Sequence, residues 1–486
     1  MRPVDIIRFA IFLFAGLLLL GSTGLTLGLL YTFRDRTSHI TIRLPAERKI
    51  IEVPYVPVKG ELTLGGGMPS KSLPQQANWS QFRGENRDAV SPESVTLKKN
   101  WTTESPPPTQ WELPLGEGFA GAAERGGRVY ILDYDEENNR DALRCLSFDD
   151  GKEIWRFSYP VKVKKNHGMS RTIPAVTDQY CVSLGPKCHV LCVDAITGAE
   201  KWLIDLRHEY GTTEPDWYAG QCPLIVSLPD HSTRGEELAI IAPAGSEALM
   251  VALDCETGKE VWRTPNPFGW VMTHVSIVPM PLDGQLTFVY CGKGGVAGIN
   301  ATDGEILWST PDWQIEIATC PSPVILPENR IFCCGGYKSG SVMLQIVPAM
   351  QSGNGQSEKY KAVTQFRLVP SVFGSEQQTP VFYGGHLFGL RENDKQFVCL
   401  DLKGKVVWES GRTEKFGSGP FLIADGMLLI LDDNGKLTGC EAMPTGYRKL
   451  FESEVLDGSG CWAPMAIVSG RLLLRSDKLM KCLDMR

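Results

Sequence analysis

The sequence holds few of the local patterns that mark catalytic or cofactor chemistry. It has no Gly-x-x-x-x-Gly-Lys-Ser/Thr loop to cradle phosphate and no Gly-x-Ser-x-Gly nucleophile elbow. No Cys-x-x-Cys-His is present, which argues against covalently attached c-type haem. Histidine is scarce, 7 in 486 residues, and no two stand at the His-x-x-x-His spacing that puts both rings on one helix face for a metal. Basic clusters are short as well. Lys162-Val163-Lys164-Lys165 is a brief run, and a net charge of −7 argues against a surface for nucleic-acid phosphates.

What is abundant is turn chemistry around an apolar core. The chain has 50 glycines and 32 prolines against 43% hydrophobic and 22% charged residues, which suits a turn-rich all-β protein rather than a disordered one. The most informative stretch is Ala252-Leu-Asp254-Cys-Glu-Thr257-Gly258-Lys259-Glu-Val-Trp262. It reads as a strand, an Asx-type turn on Asp254 with Gly258 in the left-handed position, and a return strand anchored by Trp262. Gly-x-x-x-Trp recurs with tryptophan at 155, 202, 308 and 408, so the spacings are 47, 60, 46 and 100 residues. The long gap holds a weakened copy with Phe366 near the tryptophan position, and Gly446-Tyr-Arg-Lys-Leu450 is another. A second marker runs beside the first: an apolar pair follows Pro174, Pro223, Pro323, Pro380, Pro420 and Pro464, with Ile277 in the same role.

Units of this size with four short strands and one turn signature are propeller blades, and a single blade cannot bury both faces alone. Tryptophan-type strands at 111, 155, 202, 262, 308, 366, 408 and 450 count eight. The strand around Trp111 has no partner before it, and Met480-Lys-Cys482-Leu483-Asp484 has none after it, so the two are expected to complete one blade. The fold expected is all-β, an eight-bladed propeller. Trp111, Trp155, Trp202, Trp262, Trp308 and Trp408 are read as structural, each docking on a neighbouring blade.

Ahead of the repeats, residues 9–31 carry no charge and would span about 34 Å as a helix, enough for a bilayer core of about 30 Å. An uncleaved anchor is favoured over a signal peptide, whose apolar region would be shorter and end at a small-residue cleavage site. Residues 33–78, rich in proline and including Gly65-Gly66-Gly67, read as a linker. The layout expected is an anchor over 1–32, a flexible linker over 33–78 and the propeller over 79–486.

Ala252-x-Asp254-x-x-Thr257-Gly258-Lys259-x-x-Trp262 resembles the tryptophan-docking motif of the pyrroloquinoline-quinone-type (PQQ-type) repeat family, over about residues 79–486. That resemblance implies an eight-bladed propeller. It does not choose between two branches, quinoprotein alcohol dehydrogenases and outer-membrane protein assembly factor B, which binds proteins and no quinone. Trp79-Ser-Gln-Phe-Arg83-Gly84-Glu-Asn-Arg87-Asp88 resembles the opening of a group of such propellers from planctomycete-type bacteria, in which the propeller looks exported. Export implies a periplasmic propeller on a single-pass membrane anchor. The positive residues after the span, Arg34, Arg36, Arg43, Arg48 and Lys49, argue for the opposite orientation.

Fourteen cysteines invite metal or disulfide readings. Cys145, Cys192, Cys399, Cys440 and Cys482 sit just before the turn in five repeats, so they are read as small apolar core residues. Quinoproteins often carry a disulfide between adjacent cysteines, but Cys333-Cys334 lies in a strand-like run, where neighbours face opposite sides. The acidic run Asp133-Tyr-Asp135-Glu-Glu137 lacks the spacing of a calcium loop. No metal site and no cofactor are expected, with PQQ plus calcium as the alternative.

The first functional reading is a non-catalytic binding or scaffold protein at the cell envelope, whose partners are envelope proteins or a small polar ligand. The alternative is a PQQ- and calcium-dependent dehydrogenase of alcohols or sugars. Residues just before each apolar-pair marker should face the channel mouth. They include Arg171, Gln221, His274, Thr319, Gln377, Gln378, Ser418 and Trp462, with Trp217, Tyr218 and Trp270 on the same approach.

Overall fold

The computed structural model describes residues 3–37, 55–71, 78–228, 237–315, 317–318, 320–349, 358–458 and 460–486. The chain divides into two compact units, Met1–Val56 and Pro57–Arg486. In the first, Pro3–Thr37 forms one helix of 35 residues. Proline suits its first turn, where an amide hydrogen would have no partner anyway. Within the helix, Phe9–Tyr31 is long and apolar enough to cross a membrane.

The second unit is eight antiparallel sheets, numbered here as blades in chain order from the sheet that contains Trp155. Inner strands are short and follow the proline marker: Ala175–Val176, Leu224–Ser227, Val324–Leu326, Val381–Tyr383, Phe421–Ala424 and Ala466–Val468, with Val278–Leu282 in blade 4. Proline donates no amide hydrogen, so it fits the residue just before an unpaired inner edge. The inner strand of blade 1, Ala123–Arg125, lies against those of blades 2 and 8. That contact closes the ring. Blade 8 is composite: Thr109–Pro114 supplies its outer strand and pairs with Leu479–Asp484, Trp111 opposite Cys482.

Docking between blades has a simple chemistry. Trp111, Trp202 and Trp262 donate their indole N–H groups to the turn carbonyls of Phe148, Cys255 and Ala301 in the next blade, at 2.9–3.0 Å. Trp155 and Trp408 do the same to Ile196 and Met443. The glycine of that next turn lies beneath the ring. A Cβ on Gly258 would sit 2.7 Å from the ring of Trp202, and Gly258 has φ +69°, so the repeated glycine serves both turn and docking. Trp308 is buried with its Nε1 unpartnered among the described residues, and it packs on Gly298 of its own sheet. Phe366 takes the tryptophan place in blade 5, opposite Met343.

Two details of register differ from the sequence reading. In blade 7 the tryptophan place belongs to Phe451, opposite Gly439, and not to Leu450, which falls in the bulge. Cys440 therefore stands one residue past the position shared by Cys145, Cys192, Cys399 and Cys482. The turn of blade 7 is two residues longer than those of blades 1 to 4, which hid the shift. The stretch read as a linker also contains a strand. Glu61–Leu64 pairs with the outer strand of blade 1, Leu62 opposite Phe157, and covers an edge left open in other blades. Its glycines permit close approach: a Cβ on Gly65 would meet the Glu153 carbonyl oxygen at 2.0 Å. All fourteen cysteines are free thiols, and thirteen are buried. Cys333 and Cys334 share the strand Arg330–Gly335 but belong to different apolar clusters, as opposite faces require.

Candidate functional site

The channel is blocked by the segment that precedes the repeats. Trp79 pairs with Glu124 of blade 1, Ser80 accepts the Val176 amide of blade 2, and Val90 bridges Ile423 of blade 7. Between these anchors the backbone turns tightly, with Arg83, Arg87 and Ala89 at φ +65°, +57° and +60°. Non-glycine residues hold such angles only where the surroundings impose them. Here Arg83 imposes them. Its guanidinium donates to the carbonyls of Arg87 and Asp88 in the plug, and to Thr379 and Pro380 at the inner strand of blade 6, at 2.7–3.2 Å.

Two cavities use this plug as a wall, and Arg83 lines both. The first, about 310 Å³, is lined by residues that precede the inner strands. Arg171, His274, Gln377, Gln378, Trp217 and Trp462 all line it. Arg171 donates Nη2 to the carbonyls of Asn166, His167 and Gly168, while its Nε is buried without an acceptor. No carboxylate pairs with it among the described residues. Burial pushes it down to about 10, so it stays charged at neutral pH. Burial, then the Arg171 charge, pushes His274 down to about 4, so it is neutral at pH 7, and its Nε2 is buried without a partner. Gly220 makes room for this ring, since a Cβ there would lie 2.4 Å from His274 Cδ2.

Other lining groups are already committed. The Gln378 amide donates to the carbonyls of Ser418 and Trp462, and the Trp462 indole donates to Asp433 and packs on Phe119 at 4.9 Å. Glu376 pairs with Lys395 at 3.0 Å.

Four residues expected at the mouth are not among those that line this cavity. Gln221 is fully buried and its side-chain amide bonds both main-chain groups of Ala242, a structural clamp. Trp270 stacks on Phe268 and covers Gly292, Gly294 and Gly295 of blade 4. Tyr218 donates its hydroxyl to the Lys164 carbonyl, and the Ser418 amide is held by Asp433. Thr319 lies outside the described residues. The sequence reading missed the plug, which brings Trp79, Phe82 and Arg83 to the cavity, and it missed Phe119, Tyr337 and Cys320. Its one signal was the dense Trp–Phe–Arg–Gly run with no local strand or helix to serve.

A family model described as outer membrane protein assembly factor BamB matches residues 90–222 and 229–346. The chain belongs to this family. The BamB-family match begins at the end of the plug, so residues 79–89 lie outside it. Among solved structures, BamB from Moraxella catarrhalis is 13% identical, with a TM-score of 0.51 over 78% of this chain and 99% of that one. Quinohemoprotein alcohol dehydrogenases of Pseudomonas putida HK5 and Comamonas testosteroni are 14% and 13% identical. Their TM-scores are 0.41 over 84% of this chain and 80% of that one, and 0.42 over 85% and 81%. These likenesses are of fold. No curated protein matches the chain in sequence.

The cavity does not fit a calcium-bound quinone. Calcium takes six to eight oxygen ligands, several of them carboxylate. Among the described lining residues the cavity has one carboxylate, Glu376, already paired with a lysine and sharing the wall with two arginines. Among the described residues no cluster of three or more His, Cys, Asp or Glu could hold a metal.

One buried acid ties the plug to blade 1. Glu124 pairs with Trp79 through both main-chain groups, its Oε1 accepts the Gly127 amide at 2.8 Å, and its Oε2 is buried without a partner. Burial pushes it up to about 8 from an ordinary 4.5. Because the folded value is the higher, this contribution to stability is complete below 4.5 and is lost as pH rises through 8. Glu124→Gln keeps the acceptor and cannot ionise. Urea melts should show the variant gaining a few kcal/mol, roughly, on the unaltered protein between about pH 5 and 9. Parallel pH profiles would rule out Glu124 as the titrating group.

Proposed function

We propose that this protein is a non-catalytic binding propeller of the cell envelope, held to a membrane by Pro3–Thr37 with the propeller on the periplasmic side. Its first channel cavity receives a small anion with a flat apolar part. One observation carries the reading: a cavity walled by Trp, Phe and Tyr contains a cation, Arg171, with no carboxylate partner among the described residues. A buried charge without a partner is costly, and an anionic ligand relieves that cost. Neutral His274 and Gln377 can orient the ligand by hydrogen bonds, while Phe82, Phe119, Trp217 and Trp462 offer it flat surface.

Tryptophan fluorescence tests this directly, because Trp79, Trp217 and Trp462 line the cavity. The detergent-solubilised full chain is titrated with acetate, benzoate and 2-naphthoate. Affinity should rise along that series. Arg171→Ala should weaken 2-naphthoate about tenfold or more, the scale of one charge-assisted hydrogen bond of about 1.5–3 kcal/mol. Equal weak binding by all three acids, or no effect of Arg171→Ala, would refute the reading. The BamB-family match favours a second reading, an envelope protein bound on the propeller surface, which co-purification from cross-linked membranes would reveal.

A further inference from the structure

The second channel cavity, about 450 Å³, is walled by the plug and by the inner strands of blades 3 to 6. We propose that it is a binding site for a small oxyanion, centred on Arg87. Arg87 is only 8% exposed and makes one side-chain hydrogen bond, from Nη1 to Gln81 Oε1 at 2.9 Å. Its Nη2 is buried with no partner, and it forms no ion pair among the described residues.

The acids in the same wall do not neutralise it. Glu85 accepts the Ser80 hydroxyl at 2.6 Å and pairs with Arg125 at 3.3 Å. Asp88 accepts the Val90 amide at 2.9 Å. Arg83 is spent on four carbonyls. Arg87 is therefore the one uncommitted charged group among the described lining residues. Burial lowers it to about 10, which leaves it protonated at neutral pH. A buried guanidinium that lacks a carboxylate is an unbalanced charge, and its planar fork of donors matches the oxygens of phosphate, sulfate or carboxylate.

The backbone is already set for such a ligand. Arg87 sits at φ +57°, and its own amide donates to Gly84 at 3.0 Å, so the guanidinium is placed by a tight turn that Arg83 holds. The inner strands opposite, including Leu224, Val226 and Val278, line the cavity with uncharged apolar side chains, so the polar contacts of a bound ion come from the plug. This site is separate from the first cavity and does not depend on what binds there.

Calorimetry on the full chain in detergent, titrated with phosphate, sulfate and acetate against chloride at constant ionic strength, tests the proposal and separates the three chemistries. Saturable binding of at least one oxyanion is expected, weakened about tenfold or more by Arg87→Met and less by Arg87→Lys, which keeps the charge but loses the fork. Unchanged affinity in a folded Arg87→Met protein overturns the proposal. If neither variant folds, the unaltered protein decides. Its melting temperature should rise in the bound oxyanion relative to chloride, and no rise under any of the three ions also overturns it.

Discussion

Removal of residues 479–486 is expected to abolish cooperative folding of the propeller. Those residues contain the strand Leu479–Asp484, which lies between Arg471–Arg475 and Thr109–Pro114 in blade 8. Without it Thr109–Pro114 has no partner, and the ring has no continuous closing sheet. Met480, Cys482, Leu483 and Met485 are each at most 1% exposed. At about 1.5–3 kcal/mol per large buried side chain the loss approaches 8 kcal/mol. That is comparable to the whole stability of a typical domain, roughly 5–15 kcal/mol. The strap before Thr109 loses anchors too, since the Lys98 amide donates to Met485 and the Asp484 amide to Pro108. Circular dichroism should show no wild-type-like transition, whereas removal of Arg486 alone, a half-exposed side chain, should change little. An unaltered melt for the longer truncation would contradict this closure.

Arg83→Ala should be the most damaging single substitution in the plug. It deletes four charge-assisted hydrogen bonds and leaves the carbonyls of Arg87, Asp88, Thr379 and Pro380 without their donors. Each such bond contributes about 1.5–3 kcal/mol, but burying an arginine that forms no ion pair among the described residues offsets part of the sum. A net loss of about 4 kcal/mol in urea unfolding is the expected result. Arg83→Met keeps the volume of the stem and removes the buried charge, so it should lose less. Both variants should also weaken binding in the first cavity, because Trp79 and Phe82 reach that wall on the same segment. A loss under about 0.5 kcal/mol for Arg83→Ala would show that the plug is held by its main-chain bridges alone.

The blades were legible because their signals are local. Asp254 receives the Thr257 amide at 2.7 Å within one turn, and Gly258 follows it. Such a unit announces itself wherever it recurs. Proline before the inner strands and tryptophan on the outer ones mark opposite edges of each sheet. Where one signal weakened, the register slipped by a residue: the longer turn of blade 7 moved the docking place from Leu450 to Phe451. The strand Glu61–Leu64 was hidden because its glycines, flexible by composition, serve here to let backbone meet backbone.

The candidate site was legible in part, and the limit is physical. Position before an inner strand puts a residue near the channel, which brought Arg171, His274, Gln377, Gln378 and Trp462 to one cavity. It does not say which way a side chain turns. Gln221 occupies an equivalent position and turns into its own blade, because Ala242 offers it both a donor and an acceptor. Arg83 stands 88 residues before Arg171 and 296 before Thr379 in sequence, yet it bonds Thr379 and lines the same cavity as Arg171. Short-range chemistry of turns, prolines and aromatic anchors thus carried the number of blades, their order and the closing seam. The occupancy of the channel, the division into two cavities and the lack of an ion pair to Arg171 and Arg87 among the described residues depended on folding. They arise from burial and hydrogen bonding between segments that meet only when the ring closes.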